Sequence, residues 1–146
     1  MDIKEFKNKV NDSLKSIGFN KKGSYYYKRS DEVICVIGIQ KSSYSNCYYI
    51  NLGYILKDLR PDLEFPREVD GDIRTRFTFD ANGKKVDCID VEAIPNNEYL
   101  MKALEDNILQ FVDSTLSLEG IKELLQKMPV LLYQTKMSAK KYLGIE

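Results

Sequence analysis

Five residues between positions 40 and 51 have the types and spacing to bind something. Gln40, Lys41 and Ser42 close one strand-like run, and Tyr49 and Asn51 lie in the next. Side-chain amides both donate and accept, so two of them close together can read a polar ligand or satisfy a buried backbone. If the runs pair around the SSYSN turn, Gln40 falls near Tyr48 and Tyr49, with Asn51 a few residues along. Tyr49, Asn51 and Gly53 then share one face of their strand. A glycine within a strand lets a ligand or another backbone approach closely. Two readings follow: a polar groove that binds a peptide, a nucleotide or a partner loop, or amides that satisfy buried groups where a loop crosses the sheet.

The acidic residues raise a second chemistry. Residues 1–30 carry eight Lys/Arg against three Asp/Glu, while residues 58–98 carry six against eleven, within a chain of zero net charge. Asp70, Asp72, Asp87, Asp90 and Glu92 are expected to form an acidic surface facing a basic protein partner, although two oppositely charged regions can also simply face solvent. Asp80, Asp87, Asp90 and Glu92 together suggest a Mg²⁺-dependent nuclease. Asp87 and Asp90 are three residues apart, however, and so fall on opposite sides of a regular strand. The nearest lysines, Lys84 and Lys85, sit in an expected turn. Solvated hairpin charges fit better, and neither metal nor cofactor is expected.

Other chemistries are removed by composition. The chain has no His, which excludes Ser-His-Asp and Cys-His catalysis and His-ligated zinc. Cys35, Cys47 and Cys88 lack metal-ligand spacing and read as small buried hydrophobes in a reducing compartment. Lys21, Lys22, Lys28 and Arg29 interleave with Tyr25, Tyr26 and Tyr27, a pattern that can hold phosphates and stack bases. Zero net charge and the lack of a recognised nucleic-acid motif argue against that use, and tyrosines also suit a strand. The N-terminus MDIKEFKNKV has no apolar core of a signal peptide, and no apolar run reaches the ~18 residues of a membrane span. A cytoplasmic protein without membrane contact is expected.

The elements that must position these residues are legible from periodicity. Ile3, Phe6, Val10, Leu14 and Ile17 form one helical stripe, with Asp2 as N-cap, Glu5 three residues on, and Gly18 and Phe19 as a Schellman stop. A basic turn is expected at 20–23, then strands at 24–29, 32–41 and 47–56. The second of these is apolar on both faces and therefore central. Residues 58–71 read as an irregular connection. Residues 74–80 alternate as a strand, Asn82-Gly83 is a strong hairpin signal, and residues 84–91 read as the returning strand. A helical stripe runs from Leu100 to Leu116 with Asn96 or Asn97 as its cap. A second helix spans 118–127 behind Ser117, and a third starts at Pro129 and runs to about Leu143, with Gly144 after it. Segregation of strands from helices predicts an α+β fold. It comprises an N-terminal helix, a mostly antiparallel sheet of about four to five strands, and C-terminal helices packed on one face.

One family resemblance accompanies this pattern. Gly18-Phe19-Asn20-Lys21-Lys22-Gly23, Tyr25-Tyr26-Tyr27, Gln40-Lys41-Ser42 and Ile50-Asn51-Leu52-Gly53 occur in the order and spacing of the bacterial DUF4304 domain, which the span from Phe6 to Tyr54 resembles. The resemblance implies an α+β fold and a bacterial source, and it supplies no catalytic residues.

The expected protein is therefore one domain over residues 1–146 that recognises another protein rather than catalysing a reaction, for instance an immunity-type inhibitor. Ten tyrosines favour an interface. The alternative is a small-ligand or nucleotide-binding domain centred on Gln40, Lys41, Ser42, Tyr49 and Asn51. The partner and the oligomeric state are left open.

Overall fold

Phe6, Val10 and Leu14, each four residues from the next, bury one face of the first helix, α1 (Ile3–Ser16). Asp2 caps it, its carboxylate accepting from the Glu5 amide at 2.8 Å. The stop is a Schellman turn: the Phe19 amide donates to the Leu14 carbonyl at 3.0 Å and that of Gly18 to Lys15 at 3.1 Å, with Gly18 at φ +98°. The computed structural model describes residues 1–145.

Four antiparallel strands follow in sequence: β1 (Asn20–Lys22), β2 (Tyr25–Arg29), β3 (Val33–Lys41) and β4 (Cys47–Leu56). Asn20, Lys21 and Lys22 thus form an edge strand rather than the expected turn. Their three residues pair with Tyr27, Tyr26 and Tyr25, and the reversal is left to Gly23 and Ser24. On the far side of β4 lies β5 (Ile73–Arg76), and β8 (Ile89–Asp90) pairs with the start of β4 along the same edge. The sheet is therefore six-stranded, one strand more than the upper expectation.

Between β5 and β8 the chain leaves the sheet and returns. The strand expected over 74–80 divides after Arg76, and β6 (Phe79–Ala81) pairs with β7 (Lys84–Val86) in a separate two-stranded ribbon. The cause is Asn107, whose side-chain amide takes both backbone groups of Thr78. Asn82 and Gly83, with φ of +51° and +79°, make the ribbon's two-residue turn.

One face of the sheet carries the helices. Val33, Cys35, Ile37, Leu52, Tyr54 and Leu56 meet α1, α2 (Asn97–Phe111), α3 (Leu118–Lys127) and α4 (Met137–Leu143) in the main core. Each large apolar side chain buried there contributes roughly 1.5–3 kcal/mol. The Tyr54 hydroxyl finds its partner in this apolar setting by donating to the Phe111 carbonyl at 2.5 Å. Helix α2 stops at Phe111, short of the expected Leu116. Thr115 folds back with its hydroxyl on the Phe111 carbonyl at 2.8 Å, and Ser117 then caps α3. Pro129 opens a 3₁₀ helix, Pro129–Gln134, rather than one continuous helix to Leu143. Thr135 breaks the run because it bridges to Ile73, the first residue of β5.

The other face is covered by residues 57–72, which cross it without regular strands. Tyr27, Ile34, Val36 and Ile55 form a smaller apolar cluster beneath Leu63. Tyr27 donates to the Pro66 carbonyl at 2.8 Å, and the Asp72 carboxylate accepts from the Leu56 amide at 2.8 Å. The crossing backbone comes so close at Gly53 that a Cβ there would lie 2.5 Å from the Glu68 carbonyl oxygen. The close approach expected at this glycine is thus made by the chain itself. Among the described residues no helix is long and apolar enough to cross a membrane.

Candidate functional site

Pairing of β3 with β4 sets Gln40 opposite Tyr49, with Asn51 one step along the same face. The Asn51 amide nitrogen donates to the Gln40 side-chain oxygen at 2.8 Å, and the Asn51 oxygen accepts from Arg76 Nε at 2.9 Å. The same guanidinium lies 3.9 Å from the Tyr49 ring centroid and donates to the Asp87 carboxylate at 3.1 Å. Gln40, Asn51, Arg76 and Asp87 thus form one hydrogen-bonded chain across three strands. The two amides serve side chains, not the backbone of the crossing segment, which meets the sheet at Gly53 instead.

Lys41 and Ser42 stand outside this chain. Lys41 pairs with Tyr48, which packs towards Phe6 and Lys7 on α1, so it points to the helical face. The Ser42 hydroxyl accepts from the Tyr44 amide within the hairpin turn. The Tyr49 phenol is raised above its ordinary range, first by its contact with the Cys88 thiol. Cys88 itself is raised by partial burial, with Cys47 close by. Burial drives the Cys35 thiol up to about 12, which keeps it protonated and unreactive.

The five acids do not form one outward patch. Asp72 is 1% exposed and is held by the Leu56 amide, with an Arg60 nitrogen 3.7 Å away. An acid that is spent on a buried strand end cannot face a partner. Asp70 accepts from the Arg67 amide at 2.9 Å, and Asp87 is paired with Arg76. Asp90 and Glu92 are exposed, and Asp90 accepts from the Glu92 amide. Among the described residues no three Cys, Asp or Glu side chains stand close enough to hold a metal ion.

The basic and aromatic residues near the N-terminus are engaged with the protein's own rings. Lys22 Nζ lies 3.5 Å from the Phe65 centroid, Arg29 lies 5.1 Å from the same ring, and Lys21 sits over Tyr26. Phe65 also meets Tyr27 edge-on at 5.6 Å. These contacts pin the crossing segment to β1 and β2.

The feature that sequence reasoning missed is a cleft of about 410 Å³ between β5 and the 3₁₀ helix Pro129–Gln134. Asn51, Arg74 and Arg76 line one wall and Met128, Val130 and Gln134 the other. Glu68 reaches its rim with one buried carboxylate oxygen that has no hydrogen-bond partner among the described residues. Arg74 and Arg76 were visible in the sequence as the polar face of an alternating strand. What that alternation could not show is that the strand ends the sheet. Guanidinium groups, amides and an apolar wall suit binding of carboxylates or a polypeptide backbone.

The chain belongs to the DUF4304 family, a domain of unknown function whose model matches residues 10–126. No curated protein and no solved structure matches it.

Proposed function

We propose that this DUF4304 member is a recognition module that engages a partner protein through the cleft beside β5 and catalyses no reaction itself. The observation that carries the reading is the cleft's apolar wall. Val130 is 62% exposed and, on the adjoining surface, Tyr133 is 88% and Met137 67% exposed. Exposed apolar and tyrosine side chains grouped beside a polar cleft are the composition of an interface. An inhibitor or immunity-type role is one form of this reading. With Asp70, Asp72 and Asp87 engaged internally, its contact with a basic partner would fall to Asp90 and Glu92. A bacterial cytoplasmic setting belongs to the same reading, supported by three free cysteines.

A photo-cross-linking amino acid at Val130 tests it. Capture of one protein from cells at position 130, lost on Arg74→Glu, and no capture from Lys9 on α1, is the expected result. Equal capture from both positions would sink the reading.

A second reading has its own observation. The cleft volume lies within the ~300–1,000 Å³ typical of small-molecule sites, and Asn51, Arg74, Arg76 and Gln134 all border it. A small anionic ligand would then raise the melting temperature of the purified chain, and Arg76→Ala would remove that rise.

A further inference from the structure

Two of the three cysteines meet on the sheet face away from the helices. Where β4 pairs with β8, Cys47 lies opposite Asp90 and Tyr48 opposite Ile89. Tyr48 packs towards Phe6 and Ile89 is buried in the main core, so residues 47 and 88 turn to the other face. The same register carries Cys88 to the position opposite Tyr49, diagonal to Cys47. Diagonal neighbours on a regular ladder are about 7–8 Å apart, more than a disulfide spans. Cys88 is not held in the ladder, however. β8 begins at Ile89, and Asp87 and Cys88 form the bend that leads into it from β7. From that bend the Cys88 thiol stands beside both the Tyr49 phenol and the Cys47 thiol. All of β5, β6 and β7 lies between the two cysteines in sequence, so the fold alone brings them together.

The surroundings favour oxidation of this pair over other uses. Both cysteines are half-buried, within reach of a small reagent, whereas Cys35 is 0% exposed. Among the described residues no third Cys, Asp or Glu stands close enough to complete a metal site with them. We propose that Cys47 and Cys88 form a reversible oxidation site, which a small-molecule disulfide such as oxidised glutathione closes to an intramolecular disulfide. Partial burial raises the Cys88 thiol and keeps it protonated, so the first attack falls to Cys47. Its thiolate displaces one glutathione thiolate, which takes up the Cys47 proton, and leaves a mixed disulfide on Cys47. Cys88 then attacks the Cys47 sulfur. The second glutathione leaves as its thiolate and takes up the Cys88 proton. Two protein thiols thus lose two electrons and two protons, and one glutathione disulfide gains them. The new bond ties β8 to the start of β4. It also draws Cys88 from the Tyr49 phenol and pulls on the neighbouring Asp87. Tyr49 and Asp87 both hold Arg76, in the cleft wall, so oxidation of the pair bears on the cleft.

The test treats the reduced full chain, under native conditions, with one equivalent of Ellman's reagent. Attack by Cys47 releases one thionitrobenzoate, and closure by Cys88 releases the second. Two are therefore expected per molecule of reagent. The chain should keep no adduct, lose the mass of two hydrogens, and show Cys47 joined to Cys88 in its peptide map. Cys88→Ser should release only one and keep the adduct on Cys47. With oxidised glutathione, that variant should stop at the mixed disulfide while the unaltered chain goes on to closure. Dithiothreitol should restore both thiols. Closure of the adduct should be at least about tenfold faster in the native chain than in urea, because the fold holds the second thiol in place. Adducts that persist on the unaltered chain overturn the proposal. So does a disulfide between two chains, one that includes Cys35, or closure no faster in the native chain than in urea.

Discussion

Asn107 closes the backbone of Thr78 on both sides: its oxygen accepts from the Thr78 amide at 2.9 Å and its nitrogen donates to the Thr78 carbonyl at 2.8 Å. The nitrogen also reaches the Ala103 carbonyl, and Asn107 is only 3% exposed. A buried side chain on α2 thus substitutes for a neighbouring strand at the point where the sheet edge would otherwise continue.

Removing that substitute should be costly. Asn107→Ala leaves both Thr78 groups without their partner, at about 2–4 kcal/mol in total. Urea unfolding should show the loss, and the Thr78 amide should exchange much faster than in the unaltered chain. Asn107→Asp retains the acceptor but loses the donor, so it should protect the Thr78 amide better than alanine does. Equal exchange in all three proteins would show that the clamp does not hold the edge.

Gly53 carries a different constraint. A Cβ at this position would lie 2.5 Å from the Glu68 carbonyl, a backbone atom that moves only with the whole crossing segment. Gly53→Ala should destabilise by about 1–3 kcal/mol. The displacement should appear as faster exchange or proteolysis within residues 57–72 while the helical face stays protected. A neutral substitution would mean that the crossing segment is not seated on β4.

Asp72 separates a hydrogen bond from a charge. Its carboxylate accepts from the Leu56 amide at 2.8 Å, while Arg60 stands at 3.7 Å. Asp72→Asn keeps an acceptor and should cost less than about 1 kcal/mol, whereas Asp72→Ala should cost about 2–3 kcal/mol. If the two variants unfold at the same urea concentration, the charge rather than the bond is what matters.

Alkaline pH should weaken the fold through buried acids. Burial raises the Cys35 thiol from its ordinary 9.0 to about 12, and burial likewise raises the Tyr54 phenol well above 10. The unfolded chain releases these protons first, so the native state binds more protons between pH 9 and 12. Stability must then fall as pH rises through that window. Denaturation midpoints followed from pH ~8 to ~11 check this, and Cys35→Ala should flatten the slope. In the native protein at neutral pH, Ellman's reagent should spare Cys35 and react only at Cys47 and Cys88.

Where local pattern and local structure coincide, the sequence was readable. Helix α1 with its Asp2 cap and Gly18 stop, the two-faced β3, the bounds of β4 and the Ser117 cap of α3 all depend on residues near one another in the chain. The departures have distant causes. The run over 74–80 alternates well, yet it breaks where Asn107, twenty-nine residues away, captures Thr78. Asp72 looks like any surface acid until the Leu56 amide is found beside it. Gln40 and Asn51 were identified as a pair, but their link to Arg76 depends on β5 lying next to β4, which no short-range signal reveals. The binding cleft was hidden for the same reason, since an edge is a property of sheet order and not of any one strand.

The ribbon of β6 and β7 has a use that follows from where it starts and ends. β5 and β8 lie along the same edge of β4, opposite residues 51–54 and 47–48, so the chain leaves that edge and rejoins it further along. Sheet register is set on either side of the excursion, and its Asn82-Gly83 tip is exposed. Added length at the tip should leave the rest of the molecule undisturbed. This makes the tip the natural attachment point for a fluorescent or affinity tag: the label would leave both chain ends unmodified and the β5 cleft free for capture of whatever it binds.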